Sequence, residues 1–165
     1  TAFLERSFSR TIDDVVALRR REGQETARQL RVHIASVRRF VSRAEDRFKR
    51  QPALLKARLK KRLADLSGGV PIPEAKLAEE ASFQAQRYDL AEEIGRLKTH
   101  LDSFEAFLSP KVGEPVGRQL DFLAQELNRE ANTLASKSQD IRITREGLAI
   151  KNELESIRQH VQNIE

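Results

Sequence analysis

Residues 87–104, RYDLAEEIGRLKTHLDSF, carry side chains able to hold a cation or to move a proton. On a helix, four positions step by four, three and four along one face: Asp89, Glu93, Arg96 and His100. Carboxylates one turn apart, with an imidazole further along, supply the oxygen and nitrogen ligands of a divalent cation. The alternative is a ladder of salt bridges along one helix, with His100 half-buried.

Residues 117–138, GRQLDFLAQELNREANTLASKS, carry an apolar stripe at steps of three or four and a second acidic pair beside it. The stripe residues are Leu120, Leu123, Leu127, Ala131 and Leu134. Glu126 and Glu130 are one helical turn apart, and Arg129 and Lys137 supply positive charge on the same helix. Polar residues on the flanks of this helix include short amides, one arginine and hydroxyls, which indicates a site more than a solvated surface.

Antiparallel packing of the two segments would bring both acidic pairs into one volume. Like charges that close are unfavourable unless a cation neutralises them. The pattern therefore predicts a Mg²⁺ or Mn²⁺ site, with His100 as a further candidate ligand. The four predicted metal ligands are Asp89, Glu93, Glu126 and Glu130. The alternative is internal neutralisation by Arg96, Arg129 and Lys137, without a metal.

Several stretches of the chain resemble the C-terminal region of the YicC/YloC family of bacterial endoribonucleases. They are LDFLAQELNREANTLASKS, the final VQNIE, LRRREG at 18–23 and the 87–104 segment, and the resemblance extends from about Asp13 to Glu165. It implies a divalent-metal-dependent endoribonuclease acting on single-stranded or structured RNA, and a homo-oligomer, a hexamer. Family members carry an additional N-terminal domain. This chain opens on Thr and contains no Met, so we expect it to be the C-terminal part of a longer protein, inactive if that domain completes the site.

The resemblance and the chemistry of RNA cleavage together assign the candidate residues. The predicted catalytic residues are Glu126, Glu130, His100, Arg129 and Lys137. The predicted RNA-binding residues are Arg20, Arg21, Arg96, Asn128, Asn132, Ser136 and Ser138. Two routes stay open: a metal-activated water, which commonly leaves a 5′-phosphate, or attack by the ribose 2′-OH with His100 as general base, which leaves a cyclic phosphate. His33 and His160 are predicted to be ordinary surface histidines.

Two other functions remain open. The chain is alternatively a non-catalytic oligomerisation and RNA-binding scaffold, whose partner domain or a recruited nuclease does the cutting. It is also consistent with a structural coiled-coil spacer, which would show no salt-dependent retention on a polyanion.

The charge is distributed unevenly along the chain. Residues 1–70 contain 18 Lys and Arg against 8 Asp and Glu, whereas residues 71–165 contain 12 against 17. A basic half suits a polyanion such as RNA, and no DNA specificity is expected. Without cysteine there are no disulfides or thiolate metal sites. The sequence has no run of 18 apolar residues, so we expect no membrane span and a cytoplasmic protein.

The periodicity predicts an all-α fold of long antiparallel helical hairpins, or a bundle, with coiled-coil-like seams. Residues 1–10 are expected to be a linker from a missing N-terminal domain, and 11–165 a single helical domain with a hinge at 67–73. An apolar stripe from Ile12 to Phe48 predicts a first helix that ends at Pro52. Residues 73–108 are predicted to form one helix with Phe83 in its stripe, and a further break is expected at 138–140. The inward-facing residues predicted for the last helix are Ile143, Ile150, Leu154, Ile157, Val161 and Ile164. Gly23, in mid-helix, predicts a close helix crossing or, as the alternative, the close approach of a nucleic-acid backbone.

Overall fold

The structure is a computed structural model that describes residues 2–66, 73–87, 89–109, 116–162 and 164. Within these ranges every regular element is a helix, which confirms the all-α prediction. The helices are α1 (Ala2–Leu66), α2 (Glu74–Arg87), α3 (Ala91–Phe107), α4 (Gly117–Lys137) and α5 (Ile141–Val161). None of the described helices is long and apolar enough to cross a membrane.

The first helix is one continuous element of 65 residues, with Pro52 inside it. At 1.5 Å per residue it is about 97 Å long. The predicted end at Pro52 is wrong, although proline removes one backbone hydrogen bond. Beyond Pro52, α1 contacts α2, whose Leu77 and Ala81 are buried. This packing supports the continuation of the helix. Residues 2–10 are helical as well, and their role as a linker stays a prediction.

The middle of α1 forms a four-helix bundle with α3, α4 and α5. In this ring, α1 contacts α3 and α5, and α4 also contacts α3 and α5. Cross-helix ion pairs give the directions: Lys98 on α3 meets Glu45 on α1, and Arg38 meets Asp102. The higher number on one helix meets the lower on the other, so α1 and α3 are antiparallel. Other contacts give antiparallel directions for α1–α5, α3–α4 and α4–α5. The bundle therefore has up–down–up–down geometry.

The bundle core follows the apolar stripes of the sequence. In α4 every predicted stripe residue is buried: Leu120, Leu123, Leu127, Ala131 and Leu134. The stripe of α1 is buried only from Leu30 onwards; Ile12 and Val16 are 47% and 42% exposed. Residues 3–25 of α1, apart from position 5, are all exposed, so this N-terminal arm of α1 projects beyond the bundle. Phe83 is 62% exposed, so its predicted place in an apolar stripe is wrong.

The chain breaks between helices agree with the sequence in one place and differ in another. The break at 138–140 is confirmed, and Asp140 caps α5 by accepting a hydrogen bond from the Arg142 backbone N–H. The single helix predicted over 73–108 is wrong, because α2 and α3 are separate. Asp89 lies in this break, where its Oδ1 accepts from the Ala91 N–H at 2.8 Å. The predicted hinge at 67–73 falls, except for Pro73, outside the described residues.

Two glycines, at positions the sequence did not single out, mark the close approaches. A Cβ on Gly147 would lie 2.9 Å from the Ala135 Cβ on α4. A Cβ on Gly117 would lie 2.5 Å from the backbone oxygen of Ile164, which places Ile164 against the start of α4. A Cβ on Gly23 would meet nothing within 4 Å. The close crossing predicted at Gly23 is therefore not found among the described residues.

Replacing Gly147 by alanine is expected to destabilise the fold by about 1–3 kcal/mol, because α4 and α5 must move apart. Gly23→Ala is the matched control. It should stabilise the fold by up to about 1 kcal/mol, because alanine favours the helix and meets no neighbour. Urea unfolding followed by circular dichroism measures both changes, and equal shifts in the two variants would contradict the crossing at Gly147.

Candidate active site between α3 and α4

Two ion pairs join α3 to α4 in antiparallel register. The Lys137 Nζ lies 3.2 Å from the Glu93 Oε1, and the Arg96 Nη1 lies 3.2 Å from the Glu130 Oε1. The acidic flanks of the two helices therefore face each other, as the sequence predicts. Each buried carboxylate, however, is paired with a cation of the opposite helix.

Glu130 is only 4% exposed, and it holds Arg96 in place. The other side of the guanidinium donates from Nη2 to the Glu92 Oε1 at 2.6 Å. The hydrogen bond to Glu130, together with the attraction of Glu92, raises the pKa of Arg96. The guanidinium is thus fully charged and oriented by two carboxylates. Its side chain is 56% exposed, so a phosphate in solvent can reach it.

Glu93 has the less complete set of partners. Its side chain is 9% exposed, and its Oε1 accepts from the Lys137 ammonium. Its Oε2 is buried, and the described residues offer it no hydrogen-bond partner. A buried carboxylate oxygen in this state costs free energy unless the nearby charge offsets the loss of water. Glu93 therefore depends on Lys137.

The same register places His100 opposite Glu126. His100 is one turn after Arg96 on α3, and Glu126 is one turn before Glu130 on α4. Both side chains are half-buried. Among the described residues no hydrogen bond joins them to each other or to a third group. We call the six residues Glu93, Arg96, His100, Glu126, Glu130 and Lys137 the α3–α4 site.

The remaining predicted residues lie on α4 and in the turn after it, and at about 100° per residue Asn128 and Asn132 are about 160° around the helix from Glu130, away from this site. Arg129, Asn132 and Ser136 are exposed, and Asn128 is half-buried. Ser138 is also half-buried, and its hydroxyl accepts from the Asp140 N–H in the turn after α4.

Arg20 and Arg21 lie apart from the other predicted residues. They are exposed on the N-terminal arm of α1. Within the described residues α1 makes no contact with α4. A single chain therefore does not bring these two arginines to the predicted residues of α4.

The described residues do not gather the ligands of a metal ion. They contain no group of three or more His, Asp or Glu side chains close enough to hold one. Asp89 caps the start of α3, and Glu93 and Glu130 are paired with cations. The proposed ligand set of Asp89, Glu93, Glu126 and Glu130 stays a prediction that one described chain does not by itself satisfy.

A second group of titratable side chains lies between α1 and α5. The His33 Nδ1 is 2.6 Å from the Glu153 Oε2, and the rings of His33 and His160 are 5.7 Å apart. Both histidines are half-buried beside a cleft of about 350 Å³. Their prediction as ordinary surface residues is wrong. No sequence spacing indicates this cluster, because it forms only when α1 and α5 pack together.

Comparison with known proteins gives consistent matches. Residues 44–165 match the family described as "Endoribonuclease YicC-like, C-terminal". The chain is similar to the "Probable endoribonuclease YicC" of Clostridioides difficile (strain 630), 37% identical over 136 residues, which are 82% of this chain and 44% of that protein. A protein with the same name from Haemophilus influenzae (strain ATCC 51907 / DSM 11121 / KW20 / Rd) is 35% identical over 162 residues, 96% of this chain and 54% of that protein. The chain thus spans about half the length of these curated relatives.

Proposed function

Because the chain belongs to the YicC-like endoribonuclease family, we propose that it takes part in cleaving RNA and that the α3–α4 site carries the reacting groups. The observation that supports this assignment is the Arg96–Glu130 pair, which fixes an exposed guanidinium and sets His100 opposite Glu126. A fixed cation next to an imidazole and a carboxylate is a set of groups suited to phosphoryl transfer.

We assign attack by the ribose 2′-OH as the route. The His100 imidazole takes the proton of the 2′-OH, and the freed oxygen attacks the adjacent phosphorus. The bond to the 5′-oxygen breaks, and that oxygen takes a proton from water. Glu126 stabilises the imidazolium that forms, as carboxylates do beside catalytic histidines. Arg96 and Arg129 stabilise the extra charge on the phosphoryl oxygens.

This route is favoured over a metal-activated water because the buried carboxylates of the site already have their own cations. No step is assigned to a metal. Dependence on Mn²⁺ or Mg²⁺ remains a separate proposal from the family resemblance, and it predicts activity that is lost in EDTA and restored by Mn²⁺. A cytoplasmic location and a lack of DNA specificity are likewise proposals.

The route is tested by the product ends. Incubating the chain with an unstructured RNA should give a 2′,3′-cyclic phosphate and a 5′-hydroxyl, identified by mass spectrometry. The same RNA with 2′-deoxyribose at the cut position should stay intact there. A 5′-phosphate, or cleavage of the deoxy-substituted RNA, contradicts attack by the 2′-OH.

A second candidate function, an RNA-holding scaffold that assembles as a homo-oligomer, is favoured by the N-terminal arm of α1. Its large apolar side chains have no cover within the described chain: Phe3, Leu4, Phe8, Ile12, Val15, Val16 and Leu18. Such a surface is usually buried in an assembly, and a hexamer is the state implied by the family resemblance. In the assay above the scaffold would bind RNA and leave it uncut, and light scattering on the same sample gives the subunit number.

A further inference from the structure

A cationic cleft lies where the C-terminal part of α1 meets the turn between α4 and α5. Its volume is about 490 Å³, and its walls include Arg47 and Arg58 of α1 and Arg142 of α5. That volume falls within the range of about 300–1,000 Å³ that is usual for ligand sites. None of the three arginines was singled out by the sequence, because they come together only in the folded chain.

The cleft keeps an excess of positive charge. None of the three guanidinium groups forms an ion pair with a carboxylate within the described part of the chain. One acid, Asp140, also lines the cleft, and its Oδ1 accepts the Arg142 backbone N–H at the start of α5. The α5 N-terminus is therefore already capped, and an anion in the cleft would be held by the arginine side chains.

Apolar and amide groups complete the lining. Phe48 offers an aromatic ring, and Gln51 and Gln139 offer amide donors and acceptors. An aromatic surface beside arginines suits a nucleobase with its phosphate, because the base stacks while the guanidinium binds the phosphate oxygens. The amides can pair with the base edge. An acidic peptide would use the arginines, but its Asp and Glu side chains carry no ring to stack on Phe48.

We propose that this cleft binds a nucleotide of single-stranded RNA, with its phosphate at Arg47, Arg58 and Arg142. The proposal rests on the proposed function, which supplies RNA as the polymer. Its position supports it, because Gln139 of the cleft is two residues after Lys137 of the α3–α4 site. A strand seated in the cleft therefore lies near the Lys137 end of that site.

The test is binding to a fluorescent, 2′-O-methylated single-stranded RNA, which cannot be cut by its own 2′-OH. The triple variant Arg47→Ala, Arg58→Ala, Arg142→Ala should bind at least about tenfold more weakly than the unmodified chain. The slope of log K against log salt should fall in magnitude by about 0.7, the contribution of one neutralised phosphate of a single strand. The double variant Arg58→Ala, Arg142→Ala, at two exposed positions, should show an intermediate loss and keeps the test free of folding effects.

The matched control is Arg50→Ala, Arg62→Ala, Arg145→Ala. These arginines are exposed on the same two helices and outside the cleft, and their loss changes the net charge equally. We expect less than a threefold loss of affinity. Equal losses in the two triple variants overturn the proposal, because they indicate a diffuse field. A competition experiment can also overturn the proposal. It does so if polyglutamate, at equal charge, displaces the labelled RNA as well as unlabelled RNA does.

The outcomes separate this inference from the proposed function. If the chain binds RNA through the cleft but leaves ordinary RNA uncut, the result supports the proposed cleft and contradicts the proposed cleavage. If the chain cuts ordinary RNA and the triple cleft variant binds RNA as well as the unmodified chain, the result supports the proposed cleavage and overturns the proposed cleft.

Discussion

His100→Ala is expected to slow RNA cleavage by about 10²- to 10⁴-fold, the contribution of a positioned general base. The register of α3 on α4 puts this imidazole opposite Glu126 and one turn from Arg96. Its removal leaves no other imidazole in the α3–α4 site to accept the 2′-OH proton. Single-turnover cleavage of an end-labelled RNA measures the rate.

The control for His100 is His33→Ala, which removes a half-buried histidine from the opposite face of the bundle. It should change the cleavage rate less than twofold. Stability should change little in His100→Ala, because no hydrogen bond to this side chain is found among the described residues. A similar rate loss in both histidine variants removes His100 from the mechanism.

The parts of the fold that the sequence predicted well are those governed by burial. The stripe of α4 is an example: residues at steps of three and four lie on one face, and all five are buried. The same rule placed Ile150, Leu154 and Ile157 of α5 in the core. Periodicity succeeds here because the hydrophobic effect acts on each residue with little regard to which partner covers it.

The errors arose where the outcome depends on a particular partner. Ile12 has the periodicity of a core residue but is 47% exposed, because the bundle begins only near Leu30. Pro52 is expected to end a helix, yet α1 continues through it and packs against α2. The pairing of ions was also beyond sequence reasoning. Arg96, Arg129 and Lys137 were all candidates to neutralise the carboxylates, and only the packing of α3 on α4 pairs Arg96 with Glu130.

Lys137→Met is expected to destabilise the fold by about 2–3 kcal/mol. Breaking a buried ion pair by removing one partner costs about 3–5 kcal/mol. The cost expected here is smaller because the Lys137 side chain is 36% exposed. Methionine keeps an apolar side chain of similar length, so the loss reports the charge. Glu93 would then be a buried carboxylate without its Lys137 partner, in addition to its unpartnered Oε2. Urea unfolding measures the change.

Two further variants make this result specific. Lys151→Met removes a half-buried lysine of α5 for which the described residues supply no ion pair, and it should cost less than about 0.5 kcal/mol. Glu93→Gln added to Lys137→Met should recover part of the lost stability, because the buried charge is gone. Equal costs for the two lysines, or a further loss in the double variant, contradict the dependence of Glu93 on Lys137. The double variant also tests the predicted catalytic role of Lys137. If its stability recovers but RNA cleavage does not, the result supports a contact between Lys137 and RNA. If stability and cleavage both recover, the result contradicts that role.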